Sequence, residues 1–384
     1  MVGTKNERYH SLDLLRAVMM ALGIVFHGVQ MYYVTLGADD YYRDPSRSYS
    51  MDAILIVTNT FRMPTFYMLS GFFAALLMAR RGRRGMLENR NERIVVPFLI
   101  FLPASAIVMT PLTVLGQNVL ATGTWGLDMT HAAHKELWDK THNLWFLYYL
   151  AMFVGVSAIV APWLARVSAR MKPGAMSSVA MVSLFALVLG LLGSTSDSGR
   201  IGADTSFIPD PGTFSYFFVC YLFGWLLYSD QSSIGYMAAR SWRWLIVAVV
   251  ALIVSLAGFV LRGDAEGALW LPMHMLLSIG TGFSTFAFIC FFTGLFERYF
   301  AGHSEIGRYF SDSAYWVFLS HSAFLVAFAI PMAHLPWPAE VKFLIVSVAT
   351  AICCWLTYDW WVRPTWVGKV LNGKRHERMF QRRK

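Results

Sequence analysis

The sequence predicts an all-α, polytopic bundle of about ten transmembrane helices with both termini cytoplasmic, and three observations predict it. Hydrophobic residues make up 56% of the 384 and charged residues only 14%, whereas a soluble domain carries about 25% charge. The mean hydropathy is +0.48, and the apolar residues come in long blocks, not in the alternating runs of an outer-membrane barrel. Lysine and arginine gather at alternate ends of those blocks. Together these exclude a disordered chain, a soluble enzyme, a nucleic-acid-binding domain and an outer-membrane barrel.

A bilayer core needs about 20 apolar residues per helix. That window places spans at 12–35, 51–79, 94–116, 143–164, 176–195, 213–228, 244–262, 269–294, 313–331 and 341–361, a single membrane domain over 1–384. The first block follows a short basic start, as a signal peptide does. It is too long for one, carries Arg16 and His27, and has no A-x-A site, so it is expected to stay as the first span.

With the N-terminus inside, the inner ends and loops hold 24 of the 32 Lys and Arg. They include Lys5, Arg8 and Arg16, the run from Arg80 to Arg93, and eight residues from Arg363 to Lys384. The outer side holds seven (Arg43, Arg47, Lys135, Lys140, Arg200, Arg262, Lys342) against 13 of the 23 acids. Cytoplasmic enrichment in Lys and Arg fixes the orientation. The net charge of +9 follows from topology and requires no nucleic acid. The tail from Lys374 to Lys384 reads as a solvated or lipid-headgroup-facing end.

Charge inside a span costs at least about 2.5–3.5 kcal/mol near the bilayer centre, so each instance needs a reason. In the first span Arg16 and His27 are eleven positions apart. At 100° per residue they share one face, about 16 Å apart along the axis. Asp13 lies three residues before Arg16 and can pair with it there. His27 is read either as a histidine hydrogen-bonded between packed helices or as a catalytic imidazole. The second span carries Arg62 midway, and a guanidinium stays protonated, so it requires an acid, an anion or water. Few acids lie at its depth, with Asp52 and Asp359 near span ends, which favours a substrate anion or a watery cavity over a structural role. Pro64 frees a backbone carbonyl nearby.

Before the third span, Arg90 and Arg93 are spaced to share a helical face and grip phosphates at the inner surface. Plain positive-inside charge accounts for Arg80 to Arg84. His142 and Trp145 open the fourth span at the outer interface, where Trp is a common belt anchor. His321, in the ninth span, has the same two readings as His27. Cys220, Cys290, Cys353 and Cys354 all sit in apolar blocks, with neither disulfide nor zinc spacing, and read as packing residues. No metal site is expected. There is no GxSxG, HExxH, GxxxxGK[ST] or post-strand GxGxxG, no fixed-period repeat and no pair of broken helices in matching halves.

Five blocks carry a family resemblance: Asp13…Arg16 with His27 as Arg-x10-His, FRMPTFYMLSGFF (61–73), RNERIVVPF (90–98), HNLWFL (142–147) and FLSH (318–321). In that order they resemble the membrane acyltransferase 3 family over about the whole chain, and within it the branch that succinylates periplasmic glucans. The resemblance implies acyl transfer from cytoplasmic acyl-coenzyme A, succinyl-coenzyme A among the donors, to a hydroxyl of a periplasmic or cell-surface carbohydrate. The setting would be the bacterial inner membrane, among its lipids, with no permanently bound cofactor. His27 would then be the base, or would itself be acylated first in a ping-pong route, Arg16 would face the cofactor path and Arg62 would neutralise an oxyanion or a succinyl carboxylate. Arg90 and Arg93 would hold the nucleotide phosphates, and His142, Trp145 and His321 would be weaker acceptor-side candidates. The outer loops are short for reading a large glucan. A transporter or flippase for an anionic or glycan substrate is the competing expectation, and a non-catalytic scaffold a further one.

Overall fold

The computed structural model describes residues 9–35, 42–127, 140–263, 265 and 267–379. Lys5, Arg8, Lys135 and Arg382 to Lys384, counted above among the topology charges, lie outside the described residues. The chain is 81% helical with no strand among the described residues. In chain order the helices are α1 (His10–Val29), α2 (Tyr49–Arg90), α3 (Val96–Thr122), α4 (Trp145–Ala169), α5 (Val179–Gly193), α6 (Pro211–Ser229), α7 (Ser232–Ala239), α8 (Ser241–Gly263), α9 (Trp270–Phe300), α10 (Glu305–Ala329), α11 (Ala339–Thr357) and α12 (Trp366–Asn372).

Each predicted segment falls on one helix, α1 to α6 and α8 to α11. Among the described residues, seven helical stretches, with α2 and α3 counted as one, are by themselves long and apolar enough to cross a membrane. The helices α5 and α6 are the exceptions: α5 has 15 residues, and α6 is dense in Phe, Tyr and Trp. Contacts at both ends of α4 still show how far that pair reaches. At the start of α4, Thr141 N–H donates to Thr205 O at 2.7 Å, in the loop after α5. At its far end, Gly174 N–H donates to Asp230 Oδ1 at 2.9 Å, just after α6.

Boundaries depart from the apolar window where polar groups intervene. The first helix stops at Val29, short of 35, because Val34 and Thr35 N–H donate to the Asp52 carboxylate at 2.8 and 3.0 Å. The second continues to Arg90 and breaks only at Gly82 (φ 68°). It runs on through Pro64, whose missing N–H leaves the Thr60 carbonyl without an intrahelical donor. The Thr285 hydroxyl of α9 donates to that carbonyl at 3.0 Å. A π-helical turn, Asn91–Val95, joins α2 to α3, and another, Tyr358–Val362, ends α11.

The tail departs from its expectation. Lys374, Arg375 and Glu377 are exposed as a solvated end requires, and the departure is at Met379, half-buried with its N–H donating to Asp359 Oδ1 at 2.9 Å. Lys342, counted as an outer surface charge, is fully buried against Asp44 at 2.8 Å.

The first helix lies inside the bundle, packed against α2, α9, α10 and α11. The second crosses α6 through reciprocal glycines. A Cβ on Gly71 would collide with the Tyr221 carbonyl, and one on Gly224 with the Met68 carbonyl. These crossings bring the polar faces of α1, α2 and α10 together beside the start of α4.

Candidate active site

Arg62 is buried in α2 with its guanidinium 4.3 Å over the Phe26 ring. Its Nε has no hydrogen-bond partner, and no carboxylate pairs with it among the described residues. Gly23 of α1 permits this approach: a Cβ there would stand 3.2 Å from Arg62 Nη1 and 3.4 Å from His321 Nε2. A buried cation with an unfilled donor and an aromatic face beneath it presents a ready site for an anion.

The His27 and His321 rings lie 5.1 Å apart, centre to centre. His27 Nδ1 donates to Gln30 Oε1 at 2.7 Å, which leaves Nε2 as the acceptor. His321 Nδ1 donates to the Phe318 carbonyl at 2.6 Å and to Val317 O at 3.1 Å. Since a carbonyl only accepts, Nε2 of His321 is also a lone pair, and the Ser322 hydroxyl donates to it at 3.4 Å. Asn143 in turn donates to Ser322 Oγ.

His27 and Arg62 line one narrow pocket with Asn143 and Trp145, walled by Met19, Phe66, Phe146 and Phe318. It encloses about 20 Å³, room for roughly one water, so any larger substrate requires these side chains to part. A roomier groove between α8 and α9, lined by residues such as Ile246, Val250 and Phe283, has no ionisable group and offers no acid–base chemistry.

The structure therefore brings His27, Arg62, His321 and Trp145 together. His142 is buried beside the pocket in a left-handed conformation (φ 46°) but does not line it. Asn143, Gln30 and Ser322 are the polar members that the sequence did not single out. Amides and hydroxyls are common in helices, and only the hydrogen-bond pattern marks these.

Arg16 and its partners lie toward the other end of α1. Arg16 pairs with Asp13 at 3.3 Å and sits 5.2 Å over Phe73, within electrostatic reach of Arg90 and Arg93. The π-helical turn separates the environments of the latter two. Arg90 is half-buried with a partnerless Nε. Arg93 donates to Leu371 O at 2.9 Å and Asn372 O at 3.0 Å, closing the end of α12. Arg90 is thus the open donor of the pair.

The family model described as an acyltransferase domain (acyltransferase 3) matches residues 9–359. Among curated proteins, glucans biosynthesis protein C of Salmonella schwarzengrund strain CVM19633 and that of Salmonella typhi are each 29% identical over 187 residues. That alignment covers 48% of this chain and 47% of theirs, so the chain spans about half the length of the curated relatives it matches. The protein of the same name from Salmonella paratyphi B is 28% identical over the same extent. No solved structure matches.

Proposed function

We propose, from the premise that the chain belongs to the acyltransferase 3 family, that it moves an acyl group, succinyl among the candidates, from cytoplasmic acyl-coenzyme A to a hydroxyl of a periplasmic glucan or other cell-surface carbohydrate. The observation that carries the reading is the pocket pairing an oriented imidazole, His27, with a buried guanidinium, Arg62, that has no acid partner among the described residues. The relatives' name, glucans biosynthesis protein C, supports a glucan as the acceptor. Ten spans, both termini cytoplasmic, in the bacterial inner membrane complete the proposal. The bias of Lys and Arg supports that orientation.

In this mechanism the sugar oxygen attacks the thioester carbonyl while His27 Nε2 takes its proton. Gln30 holds Nδ1–H and so keeps Nε2 facing the reaction. Arg62 meets the negative charge that develops on the carbonyl oxygen or pairs with the distal carboxylate of a succinyl donor. Collapse expels coenzyme A as its thiolate, and the proton on His27 can follow it. Arg16 and Arg90 form the basic entrance for the donor's phosphates at the inner face, with Arg93 holding α12 beside them.

The test is thioester turnover by purified protein, together with mass spectrometry of periplasmic glycans from cells with and without the chain. Acyl-coenzyme A consumption with a mass shift on a glycan is the expected result. Movement of a substrate across a sealed membrane without thioester cleavage would make the chain a transporter.

A further inference from the structure

We infer that the Asn143 carboxamide reads the acceptor hydroxyl in this pocket, an assignment that rests on the acyl-transfer reading above. A sugar hydroxyl both donates and accepts, so its site must offer both. Arg62 and Trp145 can only donate, and the one acceptor atom of His27 is committed as the base. Asn143 is the pocket-lining side chain that offers a donor and an acceptor together. One of its N–H bonds is spent on Ser322 Oγ. The other N–H and Oδ1 remain, a pair matched to one hydroxyl or to two on neighbouring sugar carbons.

The surrounding backbone holds this side chain in place. Thr141 is tied to Thr205 O through its N–H at 2.7 Å and its hydroxyl at 2.9 Å, and Lys140 bridges Ser206. The next residue, His142, takes a left-handed φ of 46°, which a residue with a Cβ adopts only when its surroundings impose it. That turn places residue 143, not 142, at the pocket. Ser322 then fixes the amide from α10, so the acceptor reader is oriented by two elements. Asn143 is itself half-buried, open enough to meet a substrate arriving from the side on which α4 begins.

The experiment uses the full-length protein in detergent with succinyl-coenzyme A and a glucose oligosaccharide as probes. Asn143→Ala should raise the acceptor KM about 10-fold, the scale of losing paired hydrogen bonds, while the donor KM moves less than about twofold. Ser322→Ala, which unties the amide without removing it, should raise the acceptor KM about threefold. The double variant should be no worse than Asn143→Ala alone, because Ser322 acts through Asn143. A folded Asn143→Ala protein with an unchanged acceptor KM overturns the inference. If that variant cannot be recovered, an unchanged acceptor KM in Ser322→Ala overturns it instead. A wild type that turns over no acyl-coenzyme A sinks the proposed function itself, and this inference with it.

Discussion

At the residue scale the site divides into groups that carry charge or protons and groups that hold them. His27 is the first kind and Gln30 the second, joined by a single 2.7 Å hydrogen bond. Replacing His27 with Ala should lower transfer by about 10²–10⁴-fold, the contribution of a positioned base, with acyl-coenzyme A binding retained. Near-normal turnover would make His27 a packing residue and end the mechanism. Arg62 allows a sharper comparison, because its two roles differ in which donor they favour. If it pairs with a succinyl carboxylate, Arg62→Met leaves a charge unpaired in a poorly solvated site, a loss of about 3–5 kcal/mol. Acetyl-coenzyme A, which lacks that charge, would lose little. If Arg62 instead stabilises the oxyanion, both donors fall alike. The ratio of kcat/KM for the two donors in wild type and variant decides. Arg62 and His27 were legible in the sequence because ionisable groups stand out in an apolar run. Asn143 and Ser322 were not, because neutral polar residues satisfy themselves easily in helices and carry no energetic penalty that marks them.

At the element scale the helices are joined by repairs to their own backbones. Pro64 orphans the Thr60 carbonyl inside α2, and Thr285 of α9 supplies the missing donor. The sequence announced the proline but not the donor to the carbonyl it orphans, Thr285, which lies 225 residues from Thr60. The crossing of α2 and α6 rests on Gly71 and Gly224, where any added carbon strikes the opposing backbone. Gly71→Ala should therefore separate the helices and lower stability by about 1–3 kcal/mol or more, read as a drop in thermal melting in detergent. A melting temperature equal to wild type would mean that the crossing has slack. Asp230 joins two connections, accepting from Gly174 N–H, Met176 N–H, Ser232 Oγ and Ser233 Oγ at 2.6–3.0 Å. Burial alone would raise its pKa, but these four donors outweigh burial and hold it below the ordinary carboxylate value of 3.8. A depressed carboxylate contributes stability that is full above its unfolded pKa and is lost as pH falls through the folded one. Stability should thus decline below about pH 4, and Asp230→Asn should flatten that acid limb while lowering stability at neutral pH. An acid limb unchanged in Asp230→Asn would show that other carboxylates govern it.

At the scale of the whole molecule, apolar blocks and basic ends foretold the all-helical architecture, and each predicted segment lies on a helix. The docking of α12 on Arg93 and of Met379 on Asp359 escaped, because both depend on partners distant in sequence, and no periodicity records those. The number of crossings turns on α5, whose 15 residues extend only about 22 Å at 1.5 Å per residue, less than a hydrocarbon core of about 30 Å. Two contacts nevertheless argue that it traverses. The loop after α5 meets the beginning of α4, and the segment after α6 meets the end of α4, so this pair spans the same depth as the 25-residue α4. The 3₁₀ turn Ala175–Ser177 before α5 supplies part of the missing length. Single cysteines can decide the matter, since Cys220, Cys290 and Cys354 are buried and Cys353 is half-buried. Ile208 is 84% exposed in the loop after α5, and the Arg84 side chain is 92% exposed at the end of α2. Between them lie α3, α4 and α5, three crossings if α5 spans. A membrane-impermeant maleimide should then label Ile208→Cys in intact cells and Arg84→Cys only after permeabilisation. Labelling of both only after permeabilisation would show that α5 turns back within the membrane and that the bundle has fewer than ten spans. The inverted pattern would place the arginine entrance outside, away from cytoplasmic coenzyme A, and would remove the physical basis for that donor.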